Sequence, residues 1–207
     1  MNSERLLRQV LEPLFRVADG LVIVDSGSTD ATLDIAREFT SRIETRPYTN
    51  FPEQRTFALS LCSHDYVLQI DSDEIMSEAL VERILDLKKK GFDHDVYCFK
   101  RDWIVLGKPV HAMFPITSPD YPGRLLRRGA TSYANSDLIH DQPSGWVNMK
   151  TFQEGMLHIT FPDREELERK LTLYTSVVGK KLSMQPRSPL FLWVRGATAA
   201  PFAFLKW

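Results

Sequence analysis

At 207 residues and 43% hydrophobic, the chain is long enough to bury a core of its own and is expected to form one main domain with a C-terminal elaboration. Its 26 basic and 27 acidic residues leave a formal net charge of −1, so no overall field draws it to nucleic acid or to an anionic bilayer. Only Cys62 and Cys98 are available, in neither a CxxC nor a Cys/His spacing, which argues against a disulfide scaffold or zinc site and fits a reducing, cytoplasmic setting.

The first residues, Met1 to Gln9, are charged and polar rather than an apolar export signal, and no run reaches the apolar length of a spanning helix. From Arg5 to Val17, Leu6, Leu7, Val10, Leu11, Leu14 and Phe15 recur at helical spacing, predicting an amphipathic helix that Pro13 kinks or breaks. Leu21-Val22-Ile23-Val24-Asp25 follows as an unbroken apolar run of the kind parallel sheets bury. After it come Ser26-Gly27-Ser28-Thr29-Asp30 and a helix over Ala31 to Phe39: strand, glycine turn, capped helix. A plain turn explains Ser28 to Asp30 well and Asp25 poorly, since a carboxylate at a strand's end is placed to accept hydrogen bonds from a base or ribose.

Ser41 to Arg46 reads as a short edge strand, Pro47 to Pro52 as a loop, and Glu53 to Leu61 as a helix with Gln54 and Arg55 near its start. Arg55 is placed either as a solvated surface residue or facing a phosphate. Tyr66 to Ile70 is a β-rich run that ends abruptly in Asp71-Ser72-Asp73-Glu74, putting acids at the carboxyl edge of a sheet, where open α/β folds bind ligands. Asp71 and Asp73 alternate by two, so on an extended backbone both carboxylates point the same way. Two hard oxygen donors suit Mg²⁺ or Mn²⁺, which complete their shells with water and substrate phosphates. Asp-Ser-Asp also resembles cap chemistry before the helical stretch Ser77 to Lys89, whose basic end is favourable to the helix dipole.

Asp95 to Val105 predicts a strand entering a hairpin around Gly107-Lys108-Pro109, and His111 beside it reads as a surface histidine. Pro115 to Pro122 is a proline-rich loop placed to cover a site, and Gly123 to Arg128 restarts a strand. Its arginines are either a solvated edge or, near a diphosphate, neutralise leaving-group charge through Arg124 or Arg127. Ile139-His140-Asp141 offers a carboxylate beside a histidine as general base. Met156 to Ile159 precedes a helix over Asp163 to Leu182, and Pro189 to Trp207 reads as an interfacial or partner-binding segment, expected to give peripheral membrane contact.

The Val24 to Asp30 segment, Gln54-Arg55, the Leu68 to Glu74 segment, Arg124 to Arg128 and Ile139-His140-Asp141 occur in an order and spacing that resembles glycosyltransferase family 2. The match is nearest the bacterial branch of lipopolysaccharide core β-1,4-glucosyltransferases. The resemblance implies a GT-A-like α/β fold, a mostly parallel sheet flanked by helices, over residues 1–160, with a helical and apolar extension over 161–207. It implies a UDP-sugar donor and an inverting transfer to a cell-envelope glycan acceptor from the cytoplasmic side, at the inner face of the cytoplasmic membrane. Carried over, Asp25, Gly27, Arg55, Asp71 and Arg124 would bind the donor, Asp71 and Asp73 the Mn²⁺ or Mg²⁺, and Asp141 would be the base. Glu74 would orient the metal-holding acids. The family opens with an apolar strand that here would precede Asn2-Ser3-Glu4; without it the chain is expected to be truncated at that strand and at the C-terminus, leaving two ladders unpaired. Such a fragment would at most bind nucleotide or a partner.

Overall fold

The computed structural model describes residues 1–113, 116–133, 142–161, 163–165, 167, 168 and 172. The chain divides into two compact units, one of Met1–Trp103 with Pro119–Ile159, the other of Ile104–Ser118 with the chain from Thr160 on.

In the first unit, α1 (Glu4–Val17) buries Leu6, Leu7, Val10, Leu11 and Leu14 of the predicted stripe together with Val17, whereas Phe15, expected in the stripe, is exposed. Pro13 lies inside the helix and does not end it, because that buried stripe continues on both sides of the proline. β1 (Ile23–Asp25), α2 (Thr32–Arg37) and β2 (Ile43–Thr45) form a strand-helix-strand unit whose two strands pair in parallel, Asp25 opposite Thr45. α3 (Phe51–Leu61) is capped reciprocally: Asn50 Oδ1 accepts from Glu53 N at 2.9 Å, and Asn50 Nδ2 donates to Glu53 Oε1 at 2.7 Å. β3 (Tyr66–Leu68) leads through the acidic turn into β4 (Glu74–Met76) and then α4 (Glu78–Lys90). Ser77 caps α4 by accepting from Leu80 N at 3.2 Å, and Lys88 in its last turn donates to Val17 O and Asp19 at 2.8 Å. β5 (Val96–Val105) follows α4.

The second unit contains β6 (Lys108–Pro109), β7 (Ala112–Met113) and β8 (Ile116–Thr117). The end of β5 turns into β6 through Leu106 and Gly107, with φ of 51° and 74°, the pair of left-handed residues that a two-residue hairpin needs, as the Gly107-Lys108-Pro109 signal predicts. β7 and β8 pair antiparallel, and His111 is exposed. Residues 164, 165, 167, 168 and 172 are helical, within the span expected to form a helix from Asp163 to Leu182. The apolar segment 189–207 lies outside the described residues, among which no helix is long and apolar enough to cross a membrane.

Back in the first unit, β9 (Gly123–Arg127) and β10 (Met149–Thr160) complete a sheet ordered β3-β9-β5-β10-β4. The α/β class is as expected, but the strand directions are not mostly parallel: β3 with β9, β5 with β9 and β10 with β4 are antiparallel, and β1 with β2 is parallel. A parallel ladder needs a crossover of about a dozen or more residues, and α2 supplies one between β1 and β2. β1 and β3 belong to separate sheets and do not pair with each other. The core is built from α1, α2 and α4 against the sheet, with Leu80, Val81, Ala36, Tyr97 and Phe99 completely or almost completely enclosed.

One consequence of the strand order positions everything that follows. β3 and β4 are separated by a few residues in sequence yet lie at opposite edges of the sheet, so Gln69–Asp73 passes the ends of the intervening strands. Gln69 N donates to Arg124 O of β9 at 2.8 Å, and Ile159 N of β10 donates to Asp73 O at 2.9 Å.

Candidate functional site

Asp25 ends β1 and is 3% exposed. Its Oδ2 accepts from Gly27 N at 2.8 Å and Ser28 N at 2.7 Å, and its Oδ1 from the Ser28 hydroxyl at 2.5 Å. Gly27 sits at φ +96°, a backbone region that a side chain strains, so the turn that folds these donors back onto Asp25 needs glycine there. Burial pushes the Asp25 carboxyl up, but the bonds from Ser28 and Gly27 outweigh it and hold the group below the usual carboxylate range. A carboxyl depressed in the fold contributes stability above its unfolded value of about 3.9 and loses it as pH falls through the folded value. Replacing Ser28 with Ala is therefore expected to cost about 1.5–3 kcal/mol at pH 7. The difference from the parent should shrink as the pH is lowered below about 4, read by urea unfolding at each pH.

The N-terminal residues tie this turn to the acidic turn. Asn2 N donates to Ser28 Oγ at 2.8 Å, Asn2 Oδ1 accepts from Thr29 N at 2.9 Å, and the hydroxyls of Ser3 and Ser72 are 2.8 Å apart. The start of α3 makes a second tie. Gln54 Nε2 donates to Ser26 Oγ at 3.3 Å, while Arg55 Nη2 reaches both oxygens of Asp71 at 2.9 and 2.8 Å. Asp25, which ends β1, and Asp71, in the turn after β3, are thus linked through residues adjacent in sequence, Asn2 with Ser3 and Gln54 with Arg55.

Asp71 also accepts from Arg124 Nη2 on Oδ2 at 2.8 Å. Burial works against its charge, and the Arg55 and Arg124 guanidiniums overcome that, holding the Asp71 carboxyl far below the usual range. Glu74 lies behind it, fully buried: Oε1 accepts from Arg101 Nη1 at 2.6 Å and Arg124 Nη2 at 2.5 Å, and Oε2 from the backbone N–H of Asp71 at 3.2 Å. Arg55 and Arg124 are 8% and 3% exposed, so of the two readings for each, the solvated-surface one does not hold. Arg127 lies elsewhere, 59% exposed in its side chain and 3.5 Å from Asp95.

Asp73 points to a different partner. Its Oδ2 is 3.1 Å from His158 Nε2 on β10. His158 Nδ1 is buried with no hydrogen-bond partner among the described residues. His158 carried no signal beyond an imidazole inside the apolar run Met156 to Ile159, and its role comes from the register that sets it opposite Glu74. As donors for a divalent cation, Asp73 and His158 present an oxygen and a nitrogen side by side, and such an ion completes its shell from phosphate and water. Both oxygens of Asp71 are engaged by guanidiniums, and no group of three acidic, histidine or cysteine side chains among the described residues is arranged to hold a metal. Of the acidic turn, Asp73 is the carboxylate left without an arginine among the hydrogen bonds and ion pairs of the described residues, and His158 is its neighbour. Asp141 lies outside the described residues.

The sequence family described as Glycosyl transferase family 2 matches residues 1–131. The chain belongs to glycosyltransferase family 2. Among its curated relatives, an uncharacterized glycosyltransferase of Rickettsia typhi is 32% identical over 215 residues, covering 99% of this chain and 72% of that protein. The lipopolysaccharide core biosynthesis glycosyltransferase LpsC of Rhizobium meliloti is 31% identical over 150 residues, covering 68% of this chain and 53% of LpsC. Among solved structures, S. aureus TarS 1–349 in complex with UDP-GlcNAc superposes with a TM-score of 0.52 at 18% identity, over 81% of this chain and 58% of that one. The chain thus spans little more than half of LpsC and of that TarS structure. The likeness to TarS establishes the GT-A-like fold of this family 2 chain.

Proposed function

We propose that this family 2 chain binds a nucleotide-diphosphate sugar and transfers the sugar, with inversion, to a hydroxyl of a cell-envelope glycan such as lipopolysaccharide core. The observation that carries the reading is the juxtaposition of the Asp25 turn and the Asp71–Glu74 turn through Asn2, Ser3, Gln54 and Arg55. Its support from relatives is the name of LpsC and the UDP-GlcNAc in TarS.

In this reading Asp25, steadied by Ser28 and Gly27, binds the nucleoside, and Arg55 and Arg124 stand beside the diphosphate. Asp73 and His158 hold the Mn²⁺ or Mg²⁺, with Asp71 beside them orienting the two arginines. The bound ion supplies Lewis-acid stabilisation of charge on the departing diphosphate. Asp141 takes the proton from the acceptor hydroxyl, a contribution typically about 10²–10⁴-fold. The 189–207 segment makes peripheral contact with the inner face of the cytoplasmic membrane.

Binding to the native state must stabilise it by mass action, by about 2.7 kcal/mol at a hundredfold excess over Kd. A thermal-shift titration is expected to show UDP with Mn²⁺ raising Tm more than UDP with EDTA, and CDP or ADP raising it less. A folded sample whose Tm ignores every nucleotide would defeat the proposal. A reading in which the chain binds nucleotide without turnover is favoured by the separation of β1 from β3 into two sheets. Release of UDP from UDP-glucose in the presence of Mn²⁺ separates the two.

A further inference from the structure

Asp120 lies in the turn that precedes β9 and touches neither Asp71 nor Asp73, yet both are connected to it. We propose that Asp120 is the positioning residue for both acids, setting Asp71 through Arg101 and Glu74, and Asp73 through Trp103 and His158. The inference rests on the nucleotide-sugar reading of that site.

The first arm is a fork. Arg101 Nε donates to Asp120 Oδ1 at 2.9 Å and Nη2 to Asp120 Oδ2 at 2.5 Å, while Nη1 donates to Glu74 Oε1 at 2.6 Å. A guanidinium is planar, so anchoring two of its nitrogens on one carboxylate fixes the direction of the third. Glu74 has no freedom to absorb an error. It is completely buried, shares Oε1 with Arg124, and accepts from the Asp71 backbone N–H. Arg124 in turn bonds Asp71 Oδ2, so a displaced Arg101 shifts both the carboxylate and the backbone of Asp71.

The second arm is a stack. Trp103 Nε1 donates to Asp120 Oδ1 at 3.2 Å, which fixes the rotation of the indole. The indole lies 4.1 Å, centroid to centroid, from the His158 ring, whose Nε2 is 3.1 Å from Asp73. The Arg101 guanidinium lies over the same indole at 4.9 Å, so the ring touches both arms. The turn itself is pinned, with Arg101 N donating to Asp120 O at 2.8 Å and Asp120 N to Arg101 O at 3.1 Å. Carboxylates and guanidiniums alternate along Asp120, Arg101, Glu74, Arg124, Asp71 and Arg55, three of each sign. The row is neutral only while Asp120 is charged.

The side chain of Asp120 is 35% exposed, so Asp120→Asn removes charge without opening a cavity. Asn keeps one acceptor oxygen but turns an amide N–H toward donors, so it cannot hold both nitrogens of the Arg101 fork. Isothermal titration of UDP in the presence of Mn²⁺ is expected to show D120N weaker than the parent by roughly 10–100-fold, the range for outer partners of metal-site residues. Trp103→Phe removes the indole's bond to Asp120 and leaves the hydrogen bonds of the Arg101 fork in place, and in ligand-free protein labelled with ¹⁵N-histidine it should shift the His158 ring resonances, as should D120N. Unchanged UDP affinity and unchanged His158 resonances in D120N overturn the proposal. If the parent does not bind UDP with Mn²⁺, the nucleotide-sugar reading fails while the His158 resonances still decide the positioning. If D120N does not fold, W103F and R101K, which cut the arms one at a time, are read in the same way.

Discussion

Replacing Asp73 with Asn is expected to lower glycosyl transfer by about 10²–10³-fold, the effect of removing one preorganised charge stabiliser from a reaction centre. The fold should survive, because the Asp73 side chain is one-third exposed and its structural anchor is a backbone one, Ile159 N donating to Asp73 O. Asn also retains a side-chain oxygen that can accept from His158 Nε2. What is lost is the negative charge, and with it the ability to hold a divalent cation against a diphosphate. The measurement is initial rate of UDP release against Mn²⁺ concentration, beside a urea unfolding curve. Parent-like turnover in the folded variant would remove Asp73 from the cation-holding role.

Replacing Glu74 with Ala is expected to act in the opposite sense, on stability before activity. Glu74 is 0% exposed and bridges Arg101 and Arg124, which sit on neighbouring strands β5 and β9. Its removal takes one carboxylate from each of two buried guanidiniums, which keep Asp120 and Asp71 respectively, and costs about 1.5–3 kcal/mol for each charge-assisted bond lost. The loss should appear as a lower urea midpoint with an unchanged slope. Glu74→Gln keeps the shape but supplies no charge, and should fall between Ala and the parent. A midpoint unmoved by Glu74→Ala would mean that water or a shifted Asp71 satisfies the two arginines.

The elements themselves were readable wherever one periodic face had to be buried. Most of the α1 stripe, the α4 helix with its basic end, and the hairpin at Gly107 follow from residue type and spacing alone, because each depends on neighbours within a turn or two, although the cap of α4 is Ser77 rather than the Asp-Ser-Asp turn. Asp25 was expected to be poorly explained by a plain turn, yet the turn's own donors, two and three residues away, occupy its carboxylate. Arg55 and Arg124 remained ambiguous between surface and site, since burial of a cation is decided by a partner distant in sequence: Asp71 is 16 residues from one and 53 from the other. The apolar run Leu21 to Asp25 does form a parallel pair, while the mostly parallel sheet that the resemblance implied gives way to antiparallel ladders among β3, β9 and β5 and between β10 and β4.

By itself, then, the sequence determined which segments become helices and strands, which carboxylates stand at strand ends, and to which family the chain belongs. The tertiary structure decided how those carboxylates are used. Alternation by two along Asp71-Ser72-Asp73 suggested one shared direction, but the turn crosses the sheet edge, and Asp71 meets the arginines of α3 and β9 while Asp73 meets the histidine of β10. The reason is physical: a carboxylate's charge state and orientation are set by the groups that neutralise it within hydrogen-bonding distance. Those groups are brought there by strand order, which local sequence does not encode.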